Sequence, residues 1–164
     1  MSTVEPVFAV VRQMLEKEGF AITGLDQDRP WGGFFVIEEG QAEKFAIHFF
    51  PGRSFGDLEQ LGKLSPKILI VAPGKRLSWQ YHHRRAEVWS CIEGPVSVAS
   101  SDSDTEKYLQ VLHPGDEIDL ARGLRHRLIG MGNWGVVAEI WQHTDPGHPS
   151  DEADIVRLQD DYGR

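Results

Sequence analysis

The segment Gly74–Gly94, GKRLSWQYHHRRAEVWSCIEG, gathers amide, imidazole, guanidinium and carboxylate side chains within a short stretch. Reading residues 77–82 as a strand makes successive side chains alternate between faces. Gln80 and His82 then share one face, and Tyr81 and His83 the other. Glu87 lies an odd number of residues beyond His82, so an unbroken strand would aim it the wrong way. A turn at Arg84, Arg85 and Ala86 removes the mismatch and starts an antiparallel strand on which Glu87, Trp89 and Cys91 share a face. A second segment, residues 115–130 (GDEIDLARGLRHRLIG), supplies a matching half. Gly123 lets the chain reverse, His126 enters the next strand on the face of Leu128, and Arg125 and Arg127 face outward. Gln80, His82, Glu87 and His126 together offer one amide oxygen, two imidazoles and one carboxylate. That set suits a divalent metal ion and leaves positions for water or substrate.

Such convergence needs short strands closing on one another, and the rest of the chain reads that way. Candidate strands are 33–37, 44–50, 67–71, 77–82, 87–92, 96–100, 107–111, 117–120, 126–129 and 136–142. Turn chemistry separates them at Pro73-Gly74, Gly94-Pro95, Pro114-Gly115 and Arg122-Gly123. With no helices between them, these strands predict an all-β antiparallel sandwich or barrel. Residues 1–20 read instead as a helix packed outside it. There Val7, Val10, Val11, Met14 and Leu15 fall on one face, and Gly19 is the stop. Residues 54–62 read as a loop or short helix, and residues 145–164 as an acidic tail over the surface. No internal repeat is visible, so the expected organisation is that helix followed by a single β domain over 29–164.

Composition narrows the function classes. A chain of 164 residues is one domain's worth. With 17 Lys+Arg against 25 Asp+Glu, the formal net charge of −8 opposes polyanion binding, so no nucleic-acid partner is expected. No apolar run is long enough to span a bilayer, no membrane partner is expected, and the start, MSTVEPVF, does not read as a secretory signal. The cytoplasm is the expected address. One cysteine, Cys91, excludes an internal disulfide framework and a multi-Cys zinc site.

The two chemistry-bearing segments resemble the paired motifs of the cupin superfamily, whose fold is a double-stranded β-helix or jelly-roll barrel. Gly74, Gln80, His82, Glu87 and Gly94 fit the spacing of the first motif, with Gln80 in place of its first His. Gly115, Gly123 and His126 fit the second, with Ala121 and Gly130 replacing its Pro and Asn. RPWG at residues 29–32, PGKRLSWQYHHRRAE at 73–87 and DIVRLQDDYGR at 154–164 are similar to the cupin-type (type II) mannose-6-phosphate isomerases. In that family a Gln takes the first ligand position. A third consecutive His common there is Arg84 in this chain. Many such relatives are fused to a nucleotidyltransferase; no Gly-rich nucleotide loop is present here, so that activity is not expected.

The resemblance implies aldose–ketose isomerisation of a hexose 6-phosphate through a cis-enediol, in a homodimer carrying one divalent ion, zinc being the family expectation. The reaction needs an electrophile on the oxygens at C1 and C2, a base to move a proton between those carbons, and cations for the phosphate. Glu139 and Lys67 are the candidate bases. Arg85, in the hairpin turn, Arg122, in the turn before His126, and Arg164, at the end of the tail, are the candidate phosphate anchors. A cupin epimerase or oxygenase and a non-catalytic sugar- or metal-binding cupin are the alternatives. His83 reads as structural, His143 and His148 as exposed beside turns, and Cys91 as buried and inert.

Overall fold

A computed structural model describes residues 6–59 and 63–163. In chain order its elements are α1 (Pro6–Lys17), β1 (Ile22–Arg29), β2 (Gly32–Ile37), α2 (Ala42–Phe49), α3 (Phe55–Leu58), β3 (Lys67–Val71), β4 (Trp79–Tyr81), β5 (Arg85–Glu93), β6 (Val96–Ser101), β7 (Tyr108–Leu112), β8 (Glu117–Leu120), β9 (Arg125–Gly130), β10 (Gly135–His143) and β11 (Val156–Gln159). The strands form two antiparallel sheets, ordered β1-β2-β3-β10-β5-β8 and β11-β4-β9-β6-β7, the two walls of a jelly-roll barrel.

The period-2 alternation of β3, β5 and β10 divides the apolar residues into two cores. Ile68, Ile70, Val88, Val136, Ala138 and Ile140 point out of the barrel, where they pack with Phe8, Val11 and Leu15 of α1 and Phe45 and Phe49 of α2. Leu69, Val71, Trp89, Cys91 and Val137 point in, against Val96, Val98 and Leu128 of the facing sheet. Because both faces of the six-stranded sheet are covered, its central strands read as unbroken apolar runs; β3 is buried at every position.

The N-terminal helix does pack outside the barrel, and Gly19 ends it. With φ at +83°, Gly19 lets its own N–H reach Glu16 O and that of Phe20 reach Leu15 O, the paired bonds of a Schellman stop. The buried stripe is Phe8, Val11 and Leu15, whereas Val10 is exposed. The expected strand at 44–50 is instead the helix α2. Ala42, Phe45, Ala46 and Phe49 recur at helical spacing and are buried, while Ile47 and His48 face solvent.

Two strands were not expected from the sequence, β1 and β11, both at sheet edges and both rich in polar residues. The C-terminal segment therefore builds a wall of the barrel by pairing with β4. It also covers Arg127, which leaves the barrel interior as expected but is fully buried. There Arg127 Nε donates to Leu77 O at 2.9 Å, and the guanidinium also reaches Gln159. Among the described residues no helix is long and apolar enough to cross a membrane.

Candidate active site

The barrel holds a cavity of about 90 Å³ lined by residues of both sheets. Register brings the first candidates together there. Gln80 of β4 stands opposite His126 of β9, and residues directly opposite share a face. His82 follows β4, and Glu87 lies on β5. The structure corrects the expected turn over 84–86: Arg85 already begins β5, so Arg85 and Glu87 share the inward face. Ligand atoms of His82, Glu87 and His126 lie within 4.8 Å of one another. His126 Nε2 is 3.1 Å from Glu87 Oε1, and His82 Nε2 is 3.6 Å from Glu87 Oε2, all three residues being buried.

Backbone carbonyls fix both imidazoles. Asp154 O stands 2.7 Å from His82 Nδ1, and Leu124 O stands 2.9 Å from His126 Nδ1. A carbonyl can only accept, so Nδ1 carries the proton in each ring and Nε2 turns a lone pair toward the Glu87 carboxylate. His126 Nε2 is buried and has no hydrogen-bond partner. A lone pair facing a carboxylate oxygen in a dry wall needs positive charge between them, from a further proton or a bound cation. Three such donors aimed at one point fit a divalent ion. Gln80 lines the same cavity; its Nε2 donates to Ser78 O at 3.3 Å. Desolvation lowers the His82 pKa to about 4, so its ring is neutral and ready to ligate near neutrality. Burial alone would raise the Glu87 carboxyl, but the charge on His82 once that ring protonates, the Arg85 guanidinium and the His126 contact outweigh it and push the group below the usual carboxylate range.

Arg85 is buried in this site. Its Nε donates to Glu87 Oε2 at 2.9 Å, its Nη1 to Ser150 Oγ and Asp151 O, and its Nη2 to His82 Nε2 at 3.3 Å. The guanidinium lies over the Trp141 ring, 3.6 Å from the centroid. Its donors are thus spent on holding two of the three converging side chains.

Glu139, in the middle of β10, faces Trp89 on one neighbouring strand and Lys67 on the other. Trp89 Nε1 donates to its Oε2 at 2.8 Å and Trp141 Nε1 to its Oε1 at 2.9 Å. Desolvation, reinforced by the charge of Glu87, raises its pKa to about 7. The result is a buried carboxyl, held in place by two indoles, beside the metal-ligand trio. Lys67 is also buried, its ammonium against Glu152 and 4.8 Å from the centroids of Phe34 and Trp141. A carboxylate and two ring faces suit a cation rather than a base.

The remaining anchors fall elsewhere. Arg122 is exposed in the turn before β9 and does not line the cavity, and Arg164 lies outside the described residues. The cavity instead receives Arg29 and Arg157, which the chemical reading did not single out. Both lie in the RPWG and DIVRLQDDYGR segments that carry the family resemblance, so the signal was in the sequence. Against expectation His143 is buried, its Nδ1 accepting the Ser150 N–H at 3.0 Å and its Nε2 meeting Ser65 Oγ at 3.1 Å. His83 and His148 are exposed, and Cys91 is buried with its thiol pushed up to about 11 by desolvation.

The model of the family described as "Mannose-6-phosphate isomerase C-terminal" matches residues 43–160. The alginate biosynthesis protein AlgA of Pseudomonas aeruginosa is 34% identical over 114 residues, 70% of this chain and 22% of that protein. A mannose-1-phosphate guanylyltransferase of Sinorhizobium fredii is 29% identical over 133 residues, 81% of this chain and 20% of its own length. The chain thus spans about a fifth of such relatives. Among solved structures, the capsular polysaccharide assembling protein CapF of Staphylococcus aureus superposes with a TM-score of 0.56 at 13% identity. That match covers 85% of this chain and 34% of CapF, and it shows a common fold only. With paired barrel motifs, two antiparallel walls and a family match over most of its length, the chain is a cupin and belongs to the mannose-6-phosphate isomerase C-terminal family.

Proposed function

We propose that this protein is a metal-dependent aldose–ketose isomerase that interconverts mannose 6-phosphate and fructose 6-phosphate through a cis-enediol. One observation carries the reading: a buried carboxyl, Glu139, pinned by Trp89 and Trp141, lines the same cavity as Glu87 and His126, which converge with His82 behind them. A divalent ion held by His82, Glu87 and His126, with Gln80 as the fourth protein ligand and zinc as the family expectation, supplies a Lewis acid for the oxygens at C1 and C2.

The chain's own groups do the rest. Glu139 takes the proton from C2 of the aldose and returns it to C1 of the ketose. A carboxyl that titrates near neutrality is matched to both giving and taking. The two indoles fix both of its oxygens, so the base approaches the sugar in one orientation. Arg85 holds Glu87 and balances its buried carboxylate, and its Nη2 occupies the His82 Nε2 lone pair that a bound ion would take over. Lys67, against Glu152 and over the Phe34 ring, serves charge rather than proton transfer.

Proton transfer through a protein base exchanges with solvent. Mannose 6-phosphate incubated in D2O with the zinc-loaded protein should yield fructose 6-phosphate carrying deuterium at C1, read by NMR. In Glu139→Gln this exchange should fall by about 10²–10⁴-fold. Undiminished exchange in the variant removes Glu139 from the base role. Calorimetric binding of the sugar phosphate with no product from the wild type replaces the isomerase reading with the non-catalytic one.

A further inference from the structure

Four cations line the cavity: Arg29, Lys67, Arg85 and Arg157. Arg85 is committed to Glu87, His82, Ser150 and the Asp151 carbonyl. Arg157 is different. It stands opposite Gln80 across the β11–β4 pair, so its side chain leaves β11 on the cavity face, yet the residue is exposed at the mouth. Among the described residues its guanidinium makes no hydrogen bond or ion pair. Arg29, at the end of β1, lies over the Phe34 ring with its carbon 5.6 Å from the centroid and pairs with Asp26 at 2.9 Å.

Lys67 reaches the same Phe34 ring from β3. Its side chain is only 9% exposed, and a cation so buried requires an anion. Glu139, its cross-strand neighbour, feels the ammonium's charge but is turned to the two indoles and makes no ion pair with it. The anion on Lys67 is therefore Glu152, whose own side chain is 71% exposed on the turn before β11. A surface carboxylate pays little to leave, because water takes it back at once, whereas the ammonium it leaves behind must receive another anion.

We propose that Lys67, Arg157 and Arg29 form the phosphate subsite of this cavity, and that in the free protein the Glu152 carboxylate stands on Lys67 in the place the phosphate takes. The inference deepens the isomerase reading and rests on it for the sugar, but the anion site stands on its own geometry. A phosphate monoester fits these groups. It is dianionic near neutrality and presents several acceptor oxygens, enough for an ammonium and a guanidinium fork together. Its arrival frees Glu152 into solvent, so anion binding and opening of the mouth are one event.

Calorimetric titration of the full chain with inorganic phosphate tests this without turnover. Arg157→Ala and Glu152→Gln replace exposed side chains and should fold. Arg157→Ala should weaken phosphate binding by about 10–100-fold, while Glu152→Gln, lacking the competing carboxylate, should tighten it by about three- to tenfold. Phosphate affinity unchanged in Arg157→Ala, or weakened in Glu152→Gln, overturns the subsite. Kinetics with mannose 6-phosphate separate this inference from the reading beneath it. Wild-type turnover with an unchanged KM in Arg157→Ala removes the subsite and leaves the isomerase. Phosphate binding with the expected variant pattern but no turnover keeps the subsite and removes the isomerase.

Discussion

Glu139 lines the cavity and His82 stands behind it against Glu87, and desolvation moves their titrations in opposite senses, Glu139 up to about 7 and His82 down to about 4. From the unfolded value of 4.5 up to 7, the folded chain keeps the Glu139 proton that the unfolded chain has released. Glu139 therefore contributes stability below 4.5 that is lost as pH rises through 7. Between 6.5 and 4 the unfolded chain protonates its His first, so the His82 contribution is lost as pH falls through that window. In the metal-free protein the two slopes cancel between 4.5 and 6.5. Glu139→Gln should unmask the His82 slope, and urea unfolding should then show stability rising by about 3 kcal/mol from pH 4 to 6.5. A flat profile in that variant contradicts the account of His82. In turnover, the acid limb of the wild-type kcat/KM profile should disappear in Glu139→Gln. At this scale the sequence was most legible for the candidate metal ligands, because fixed spacings on neighbouring strands carry Gln80, His82, Glu87 and His126. It was least legible for Arg29 and Arg157. Nothing in their own spacing points to the cavity, which their strands reach only through the tertiary fold.

The segment from Ser150 to Gln159 shows how an element can hold a site it does not contain. The Asp154 carbonyl sets the His82 ring. Its carboxylate accepts the backbone N–H groups of His83 and Arg84 at 2.9 Å and the Ser150 hydroxyl at 2.6 Å. Burial opposes ionisation of this carboxyl, but those hydrogen bonds prevail and hold its pKa at about 2. Asp154→Ala leaves all proposed metal ligands and the backbone carbonyl on His82 in place and removes only the carboxylate that ties down His83, Arg84 and Ser150. Zinc affinity by calorimetric titration should fall by about 10–100-fold, and an unchanged affinity shows that the segment positions nothing. The sequence pointed to a surface tail here, because four strand residues among acids and turns give no alternation to read. The error at α2 has a different origin. Phe45, Ala46, Phe49 and Phe50 form an apolar run too short for composition to separate strand from helix, and only burial against α1's neighbours and β3 decides it.

At the scale of the whole molecule, fold class was the easiest property to read, since short strands, turn residues and two motif halves all point to one barrel. The two-sided burial of the six-stranded sheet was not legible, because it depends on α2 being a helix and on α1 docking through Phe8 rather than Val10. The net charge of −8 says nothing against a phosphate, since the cavity concentrates four cations that the surface average conceals. The family resemblance also implies a homodimer. Light scattering should give twice the chain mass of 18.5 kDa, and a monomer mass contradicts that expectation. The central claim, that converging Gln80, His82, Glu87 and His126 make this barrel a metal-dependent isomerase, meets its most direct test in turnover. Zinc-loaded wild type should interconvert mannose 6-phosphate and fructose 6-phosphate, and a Gln80→Ala, His82→Ala, Glu87→Ala triple variant treated alike should not. Equal rates in the two proteins, or none in either, contradict it.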